Sequence, residues 1–481
     1  MLYVMCLLLG FILPGQQAVA AVLKHGPKTA KSFSQVVPLS TKSAEARAAL
    51  QRGVVKWENH RMAQAVDDFR KATQADPDFA VAHLFLSTLT SNPEEQSSEL
   101  KKAVALRDST SMTEAERLLI SWLSNTSQNQ ILPAIASMNE LLGRYPKDKH
   151  LLYRAAIWFR NQRQSARALP LYERLLQLDP EFADALNQLG YTYAFEDEFD
   201  KAIATMKRYV AVLPNEPNPE DSYAEIFRMA GRYDEALAHY RRALQIEPSY
   251  WSSQEGIAGT YMLMGDYARA RAEYTLAIEH APSQATALSW TANSAVIWVR
   301  EKDYAKANAV LAGVAGRAHD NNLAALESTA YRMMALFEKD PAARQELLDR
   351  SEAALGHNHA LSKLTSEQQT ALILRARTYA YLDAGNIEAA SRVLEQLRSA
   401  QEKTHNGFIQ VVYHGAAGAV LTMQGKYEDA IGELLEDDGN PFSIRFLVLA
   451  YQKNGSGEDA ARWAARLASL RSPTLEQALV Q

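Results

Sequence analysis

The residues whose types and spacing could support catalysis are few. Ser98 and Lys101 have the SxxK spacing of penicillin-interacting serine enzymes, but no SDN or KTG motif follows them. The segment Gly455-Ser456-Gly457 is too short for the GxSxG turn that presents a nucleophilic serine. The sequence also has no HExxH motif, no P-loop and no GxGxxG motif. We therefore expect a solvated helix face around Ser98 and an interhelical turn at Gly455.

Two short segments resemble parts of metal sites. His357 and His359 could bind a metal if their loop supplied a carboxylate, but two histidines alone make a poor zinc site. The segment Glu436-Asp437-Asp438-Gly439 resembles half of a calcium loop, without the glutamate that ends an EF-hand loop. We predict a polar turn there, and we expect no metal site and no cofactor in the chain.

The N-terminal residues differ in composition from the rest. The run from Leu2 to Leu13 is apolar, and Ala18 and Ala20 are small residues where a signal peptidase needs them. We predict a signal peptide over 1–20 and export to the bacterial periplasm or the medium. Retention of this segment as a membrane anchor is the alternative. Cys6 is the single cysteine and lies in that run, so the processed chain would contain no disulfide.

The overall composition excludes some classes of protein. The chain has 51 basic and 56 acidic residues and a formal net charge of −5. A nucleic-acid binder needs concentrated positive charge, so we expect no nucleic-acid partner. Hydrophobic residues make up 47% of the chain and charged residues 22%, which is typical of a soluble globular protein. After signal cleavage we expect no stable membrane span.

Prolines at a constant interval organise the middle of the chain. They stand at 146, 180, 214, 248 and 282, so the interval is the same four times in succession. If each proline is numbered 32 in its repeat, position 20 is always alanine: Ala134, Ala168, Ala202, Ala236 and Ala270. Aromatic residues recur at positions 11 and 24, and glycines occupy position 15 in two repeats. A fixed period of this length indicates a repeat architecture.

The pattern within each repeat predicts two amphipathic helices. Apolar residues recur at i, i+3, i+4 and i+7 in each half, which is the spacing of a helix with one apolar face. The alanine lets the two helices approach closely, and the late proline ends the second helix. Such hairpins bury their remaining apolar faces by stacking. The predicted fold class is all-α, a right-handed α-solenoid of stacked antiparallel helical hairpins.

The segment from Pro214 to Pro219 tests this interpretation, because three prolines in such a short stretch could mark a flexible linker. Pro248 follows Pro214 by the same interval as the other prolines, so nothing is inserted between the repeats. We predict a helix boundary with Asn218 as the N-cap and Pro219 in the first turn. The pair Asn440-Pro441 predicts the same arrangement in the last repeat.

These repeats resemble those of the tetratricopeptide repeat (TPR) family. Gly190, Tyr193, Ala202 and Pro214 stand at family positions, and the next repeat has the same pattern. The resemblance implies about twelve helical pairs from Ser43 to Leu470, with stacking and partner binding.

We predict four segments on this basis. They are a signal peptide at 1–20, a disordered leader at 21–42, an N-terminal array at 43–317 with regular repeats at 115–282, and degenerate repeats with a capping tail at 318–481. The last boundary follows a loop expected at 316–322.

The resemblance also implies a binding groove. In such arrays, positions 2, 5, 9, 12 and 13 of the first helix line the concave surface. The predicted partner-binding residues are Tyr153, Ile157, Arg160, Asn161, Asn187, Tyr191, Phe195, Glu225, Arg228 and Met229. Their mixture of aromatic, amide and charged groups suits a peptide segment or a helix of another protein.

The leading hypothesis is therefore a non-enzymatic protein-interaction scaffold in the bacterial cell envelope. The alternative is an envelope polymer-processing enzyme whose site is formed by the degenerate C-terminal repeats. The alternative explanation of the predicted groove residues is that they are ordinary surface residues of a scaffold and bind no partner.

Overall fold

The computed structural model describes residues 37–58, 62–90, 92–109, 111–356 and 361–480. The predicted signal peptide, most of the predicted leader, His357 and His359 lie outside the described residues. The described part of the chain contains 25 α-helices and no β-strand, which confirms the all-α prediction.

The helices follow one another as twelve hairpins and one short final helix. Their bounds are α1 Ala44–Glu58, α2 Met62–Ala75, α3 Ala80–Leu89, α4 Pro93–Leu106, α5 Glu114–Ser127, α6 Ile131–Arg144, α7 Lys149–Asn161, α8 Ser165–Leu178, α9 Ala183–Phe195, α10 Phe199–Val212, α11 Pro217–Met229, α12 Tyr233–Ile246, α13 Trp251–Leu263, α14 Tyr267–Glu279, α15 Gln284–Arg300, α16 Tyr304–Asp320, α17 Ala324–Phe337, α18 Pro341–Gly356, α19 Lys363–Asp383, α20 Ile387–Thr404, α21 Gly407–Met423, α22 Tyr427–Leu435, α23 Pro441–Lys453, α24 Gly457–Ser469 and α25 Leu475–Val480. The twelve pairs match the number predicted between Ser43 and Leu470.

Small residues allow the two helices of a hairpin to pack closely. All five position-20 alanines are fully buried, with 0% of their surface exposed. Where glycine is used, the partner side chain fills the space: a Cβ at Gly190 would lie 2.7 Å from Cε of Met206. Met206 is at position 24 and is itself fully buried. The repeated small and large residues therefore form the core within each hairpin.

A left-handed residue ends the first helix in five successive hairpins. These residues are Asn129 (φ 56°), Arg163 (59°), Asp197 (58°), Gly231 (75°) and Gly265 (81°), and they recur at the same interval as the prolines. Glycine adopts this conformation without strain, whereas a residue with a Cβ atom does not. The hairpin geometry therefore imposes the turn even where the residue type disfavours it.

The proline cluster is a helix boundary, as predicted, but Asn218 is not its N-cap. Helix α11 begins at Pro217, and Glu216 occupies the N-cap position. The amide of Asn218 instead donates to Oη of Tyr209 (2.7 Å), and its Oδ1 accepts from Oη of Tyr250 (2.9 Å). Two tyrosines thus engage the side chain that would have capped the helix.

The predicted cap at Asn440 is confirmed. Its side chain accepts hydrogen bonds from the backbone amides of Phe442 (2.9 Å) and Ser443 (3.3 Å), while Pro441 occupies the first turn of α23. The loop predicted at 316–322 is wrong for most of its length. Helix α16 continues to Asp320 because Ala318 is fully buried on its packed face.

The helices divide into two compact units. The described residues of 37–159 and 167–185 form the first, here called the N-terminal unit. Its chain begins with an extended segment before α1. There, the amide of Val37 donates to Oδ2 of Asp148 (2.8 Å), and Thr41 Oγ1 donates to Oδ2 of Asp76 (2.5 Å). Residues 37–42, the end of the predicted leader, are therefore held by acidic side chains of the first repeats.

The second unit, here called the C-terminal unit, contains residues 160–166 and the described part of 186–480. Adjacent helices form most of its packing, but some contacts join distant repeats. Arg466 donates through Nη1 to Oδ1 of Asp197 at 2.9 Å, across 269 residues. A simple stack makes contacts only between neighbours, so the C-terminal unit has additional long-range connections.

Candidate partner-binding surfaces

The ten predicted residues lie on first helices, α7, α9 and α11, but differ in exposure. Tyr153, Asn187 and Arg228 are buried, with exposures of 6%, 4% and 6%. Asn161 is exposed, and the other six are half-buried. Tyr153 and Ile157 belong to the N-terminal unit, and the remaining eight to the C-terminal unit. We call the surface at positions 5, 9, 12 and 13 of the first helices in the C-terminal unit the first-helix face.

Tyr153 packs inside the N-terminal unit. Its ring centroid lies 5.3 Å from that of Phe182. This contact accounts for its low exposure and makes it a packing residue as well as a predicted groove residue.

Three of the predicted residues form a hydrogen-bonded group. Oη of Tyr191 donates to Oε2 of Glu225 at 2.8 Å, and Nη2 of Arg228 donates to Oε1 of the same carboxylate at 2.8 Å. Tyr191 and Glu225 both occupy position 9, in successive repeats. Stacking thus places equivalent positions of α9 and α11 in direct contact.

Two further carboxylates join this group, and the prediction did not include them. Asp221 accepts from Oγ of Ser253 at 2.6 Å, and Glu255 accepts from Nδ2 of Asn293 at 3.2 Å. Both occupy position 5 of their repeats. The same numbering that identified Tyr153 and Asn187 at position 5 would have identified them.

The first-helix face here is rich in carboxyl groups, and burial disfavours their charged forms. Burial raises the pKa of Asp221 to about 7, and the nearby Glu225 adds to the effect, while the Ser253 hydrogen bond opposes it. Burial also raises the pKa of Glu255, against the attraction of Arg228. Nε of Arg228 has no hydrogen-bond partner among the described residues. Three carboxylates therefore surround one guanidinium group, and their ionisation is coupled.

An open groove lies further along the first-helix face, across α19, α21 and α23. Its volume is about 460 Å³, and it is lined by Leu382, Asp383, Met423, Arg445, Phe446, Val448, Leu449 and Gln452. Counted from the turn glycines at position 15, most of these residues occupy positions 5, 9, 12 and 13. The prediction placed the groove only on earlier repeats, although the same positions identify this one.

The groove combines an apolar floor with one available cation. Met423 is 39% exposed and so offers apolar surface at the groove. The guanidinium of Arg445 lies 5.3 Å from the ring of Phe442 and 5.2 Å from that of Phe446. No carboxylate of the described residues forms an ion pair with Arg445. Asp383, by contrast, is paired with Arg344 at 2.7 Å.

The candidate catalytic residues lie on a helix surface, and one of the candidate metal-binding residues, Asp437, lies in a buried turn. Ser98 and Lys101 are both exposed on α4. Asp437 is buried in the turn between α22 and α23, where it accepts from Oγ of Ser443 at 2.5 Å. Within the ranges that the structure describes, no cluster of three or more histidine, cysteine or acidic side chains could hold a metal ion.

None of the helices in the described ranges has the length and apolar character needed to cross a lipid bilayer.

A family model described as tetratricopeptide repeat matches residues 160–226 and 227–293. No curated protein sequence matches the chain significantly.

Several solved structures are similar to this chain. A tetratricopeptide repeat protein from Parabacteroides merdae is 16% identical, with 64% of this chain and 98% of that chain covered and a TM-score of 0.36. A thermophilic TPR protein of Thermus thermophilus is 21% identical, with coverages of 45% and 98% and a TM-score of 0.30. The APC/C hetero-tetramer Cut9-Hcn1 is 15% identical, with coverages of 94% and 80% and a TM-score of 0.41. The segment matched by the family model contains α8 to α14 with their turns, so residues 160–293 of this chain are tetratricopeptide repeats.

Proposed function

We propose that this chain is a non-enzymatic protein-interaction scaffold of the bacterial cell envelope. Its first-helix face would bind a peptide segment or a helix of a partner protein. The observation that carries the proposal is the open groove across α19, α21 and α23, because it lies at the positions that a tetratricopeptide array uses for ligands.

The chemistry of the groove defines the ligand. The side chains of Met423, Phe446 and Leu449 offer apolar contact, which gives most of the affinity when a helix or peptide lies in a groove. Arg445 is a cation without an ion pair in the described part of the chain, so a ligand carboxylate would complete it. The proposed ligand is therefore an amphipathic segment with apolar residues and an acidic residue.

The predicted residues on α9 would extend this surface. The rings of Tyr191 and Phe195 are stacked with their centroids 6.2 Å apart, and both are half-buried. Aromatic pairs of this kind contribute large contact areas at protein interfaces.

The proposal can be tested with the full chain and a library of random 15-residue peptides. Selected peptides should be rich in apolar residues and contain Asp or Glu. Met423→Asp and Arg445→Glu should each weaken binding of these peptides at least tenfold, which corresponds to about 1.4 kcal/mol. Arg462→Glu is the matched control, because Arg462 is exposed on α24 and, among the described residues, forms an ion pair only with Asp459 on its own helix. Equal binding by all three variants would contradict the proposal.

Export is a separate part of the proposal, and it rests on the sequence of residues 1–20. We would fuse this segment to alkaline phosphatase from which the native signal peptide has been removed. We expect the fusion to reach the periplasm, where the enzyme becomes active. Leu7→Arg together with Leu8→Arg should abolish that activity because charge interrupts the apolar run. Recovery of the fusion in the membrane fraction instead of the soluble periplasm would favour the uncleaved anchor.

A further inference from the structure

The last eleven described residues leave the hairpin stack and return to earlier repeats. After α24 ends at Ser469, residues 470–474 have no regular secondary structure and are followed by the six-residue helix α25. Helix α25 packs on α23 of the last hairpin and also on α15 and α17. We call residues 470–480 the C-terminal tail.

The tail lies on the first-helix face. A Cβ placed at Gly259 would be 3.9 Å from Cβ of Pro473 and 3.3 Å from Nη1 of Arg228. Gly259 occupies position 9 of its repeat, and Arg228 is one of the predicted partner-binding residues. A Cβ at Gly231 would likewise be 3.6 Å from Nε of Arg471. The tail therefore occupies part of the surface that the sequence predicts for a partner.

The tail makes specific contacts at two of its side chains. Leu475 is 4% exposed, and Gln477 is fully buried. Oε1 of Gln477 accepts from the amide of Ser472 at 2.8 Å, and its Nε2 donates to the carbonyl of Leu470. These bonds connect the non-helical part of the tail to α25.

Groups of opposite charge lie close together at α25. Glu476 lines a small cavity together with Arg332 of α17 and Arg375 of α19, and Arg375 is also paired with Asp437 at 3.6 Å. Arg332 is only 7% exposed, and its Nε has no hydrogen-bond partner in the described part of the chain. Next to this cavity, Leu479 and Val480 pack against the apolar core that includes Phe442. The tail thus combines an acidic residue with flanking apolar residues.

A helix of six residues has no stability of its own in water, so α25 is ordered by the surface beneath it. The hairpins do not depend on it in the same way, because each one packs on its neighbours. Detachment of the tail would therefore uncover the first-helix face and leave the stack in place.

We infer that the C-terminal tail is an intramolecular ligand of the first-helix face, and that a partner segment of the same chemistry displaces it. That segment carries a basic residue and a proline in a non-helical stretch, followed by a short helix with a glutamate between leucines. The inference rests on the proposed function, because it specifies how access to the same face is controlled.

The test uses the full chain and a fluorescent peptide with the sequence of residues 470–480. The wild-type chain should bind this peptide weakly because its own tail competes. Leu475→Asp in the full chain should release the tail and bind the added peptide at least tenfold more tightly. Arg332→Glu in the Leu475→Asp chain should abolish this binding. A peptide carrying Glu476→Arg should bind neither the wild-type chain nor the Leu475→Asp chain. A folded Leu475→Asp chain that does not bind the peptide would overturn the inference.

Hydrogen exchange of the wild-type chain gives a second measurement that needs no substitution. We expect the amides of the tail to exchange faster than those of α15 and α17, because the tail detaches without unfolding the stack. Equal exchange would mean that the tail is an inseparable part of the fold, and the inference would fail. Neither experiment contains a library peptide or a partner protein. A negative result in either would contradict the tail inference alone, whereas failure of library peptides to bind the open groove would contradict the proposed function.

Discussion

The backbone amide of Gly407 donates a hydrogen bond to Oε1 of Gln162 at 2.9 Å, although 245 residues separate them. Gly407 is the first residue of α21, and Gln162 lies in the turn after α7. Both residues are buried, so the bond is protected from water. Within the C-terminal unit, this contact joins the start of one hairpin to the turn of a much earlier one.

Gly407→Ala should destabilise the C-terminal unit. A Cβ placed at Gly407 would overlap the backbone carbonyl oxygen of Gln162, which cannot rotate away as a side chain could. We expect a loss of about 1–3 kcal/mol in the free energy of unfolding, measured by urea denaturation. Gly432→Ala is the control, because a Cβ there meets no atom within 4 Å. Equal stability of the two variants would show that the contact does not hold this unit together.

Asp221→Asn should stabilise the protein at neutral and higher pH. Its folded-state pKa of about 7 lies above the ordinary value of 3.8, so the folded protein binds a proton more tightly than the unfolded chain. Stability then falls as pH rises from about 4 to about 7 and levels off above that. The asparagine removes this dependence but can still accept from Ser253. Thermal unfolding should show a clear gain at pH 8 and almost none at pH 4, whereas a gain that did not vary with pH would contradict the assigned ionisation.

Lys302→Gly should raise stability. Lys302 has φ of 62° in the turn before α16 and its side chain is exposed, so only the backbone conformation is at issue. Glycine adopts this conformation without the steric cost of a Cβ atom, and we expect a gain of up to about 1 kcal/mol in thermal unfolding. Lys302→Ala retains a Cβ and should give no such gain. If Lys302→Gly and Lys302→Ala change the thermal stability equally, backbone strain at residue 302 is not the cause.

Ala236→Leu should destabilise the hairpin of α11 and α12. Ala236 is fully buried where the helices meet, and a larger side chain would force them apart at a cost of about 1–3 kcal/mol. Ala238→Leu, on the exposed face of the same helix, should be nearly neutral. Circular dichroism during urea unfolding measures both. A loss at residue 238 equal to that at 236 would mean that helix propensity, rather than close packing, is responsible.

The sequence predicted the repeats well because its pattern is local. Each buried alanine at position 20 stands near its partner residues in the chain, so periodicity alone reveals the hairpin. In the sequence, glycine marks only two of the five left-handed turns, at Gly231 and Gly265. Arg163 and Asp197 adopt the same conformation for the same geometric reason, but their residue types gave no signal.

The candidate site was predicted in part. Position 9 of the repeat contains Glu225, which accepts a hydrogen bond from Tyr191, and position 5 contains Asp221 and Glu255, which the prediction left out. The sequence did not predict that residues 470–480 lie on that face near Arg228. Contacts between distant repeats depend on the small rotation of each hairpin relative to the next, and these rotations add up without any local sequence mark.

The pairing of Gln162 with Gly407, and of Asp197 with Arg466, has an evolutionary consequence. Repeat arrays usually gain and lose units freely, because every unit meets only the one before and the one after. In this chain, duplication or deletion of a hairpin between such paired residues would carry one of them out of reach of the other. The number of hairpins between the paired residues should therefore be under selection. Relatives that conserve these pairs should also have the same number of hairpins between them.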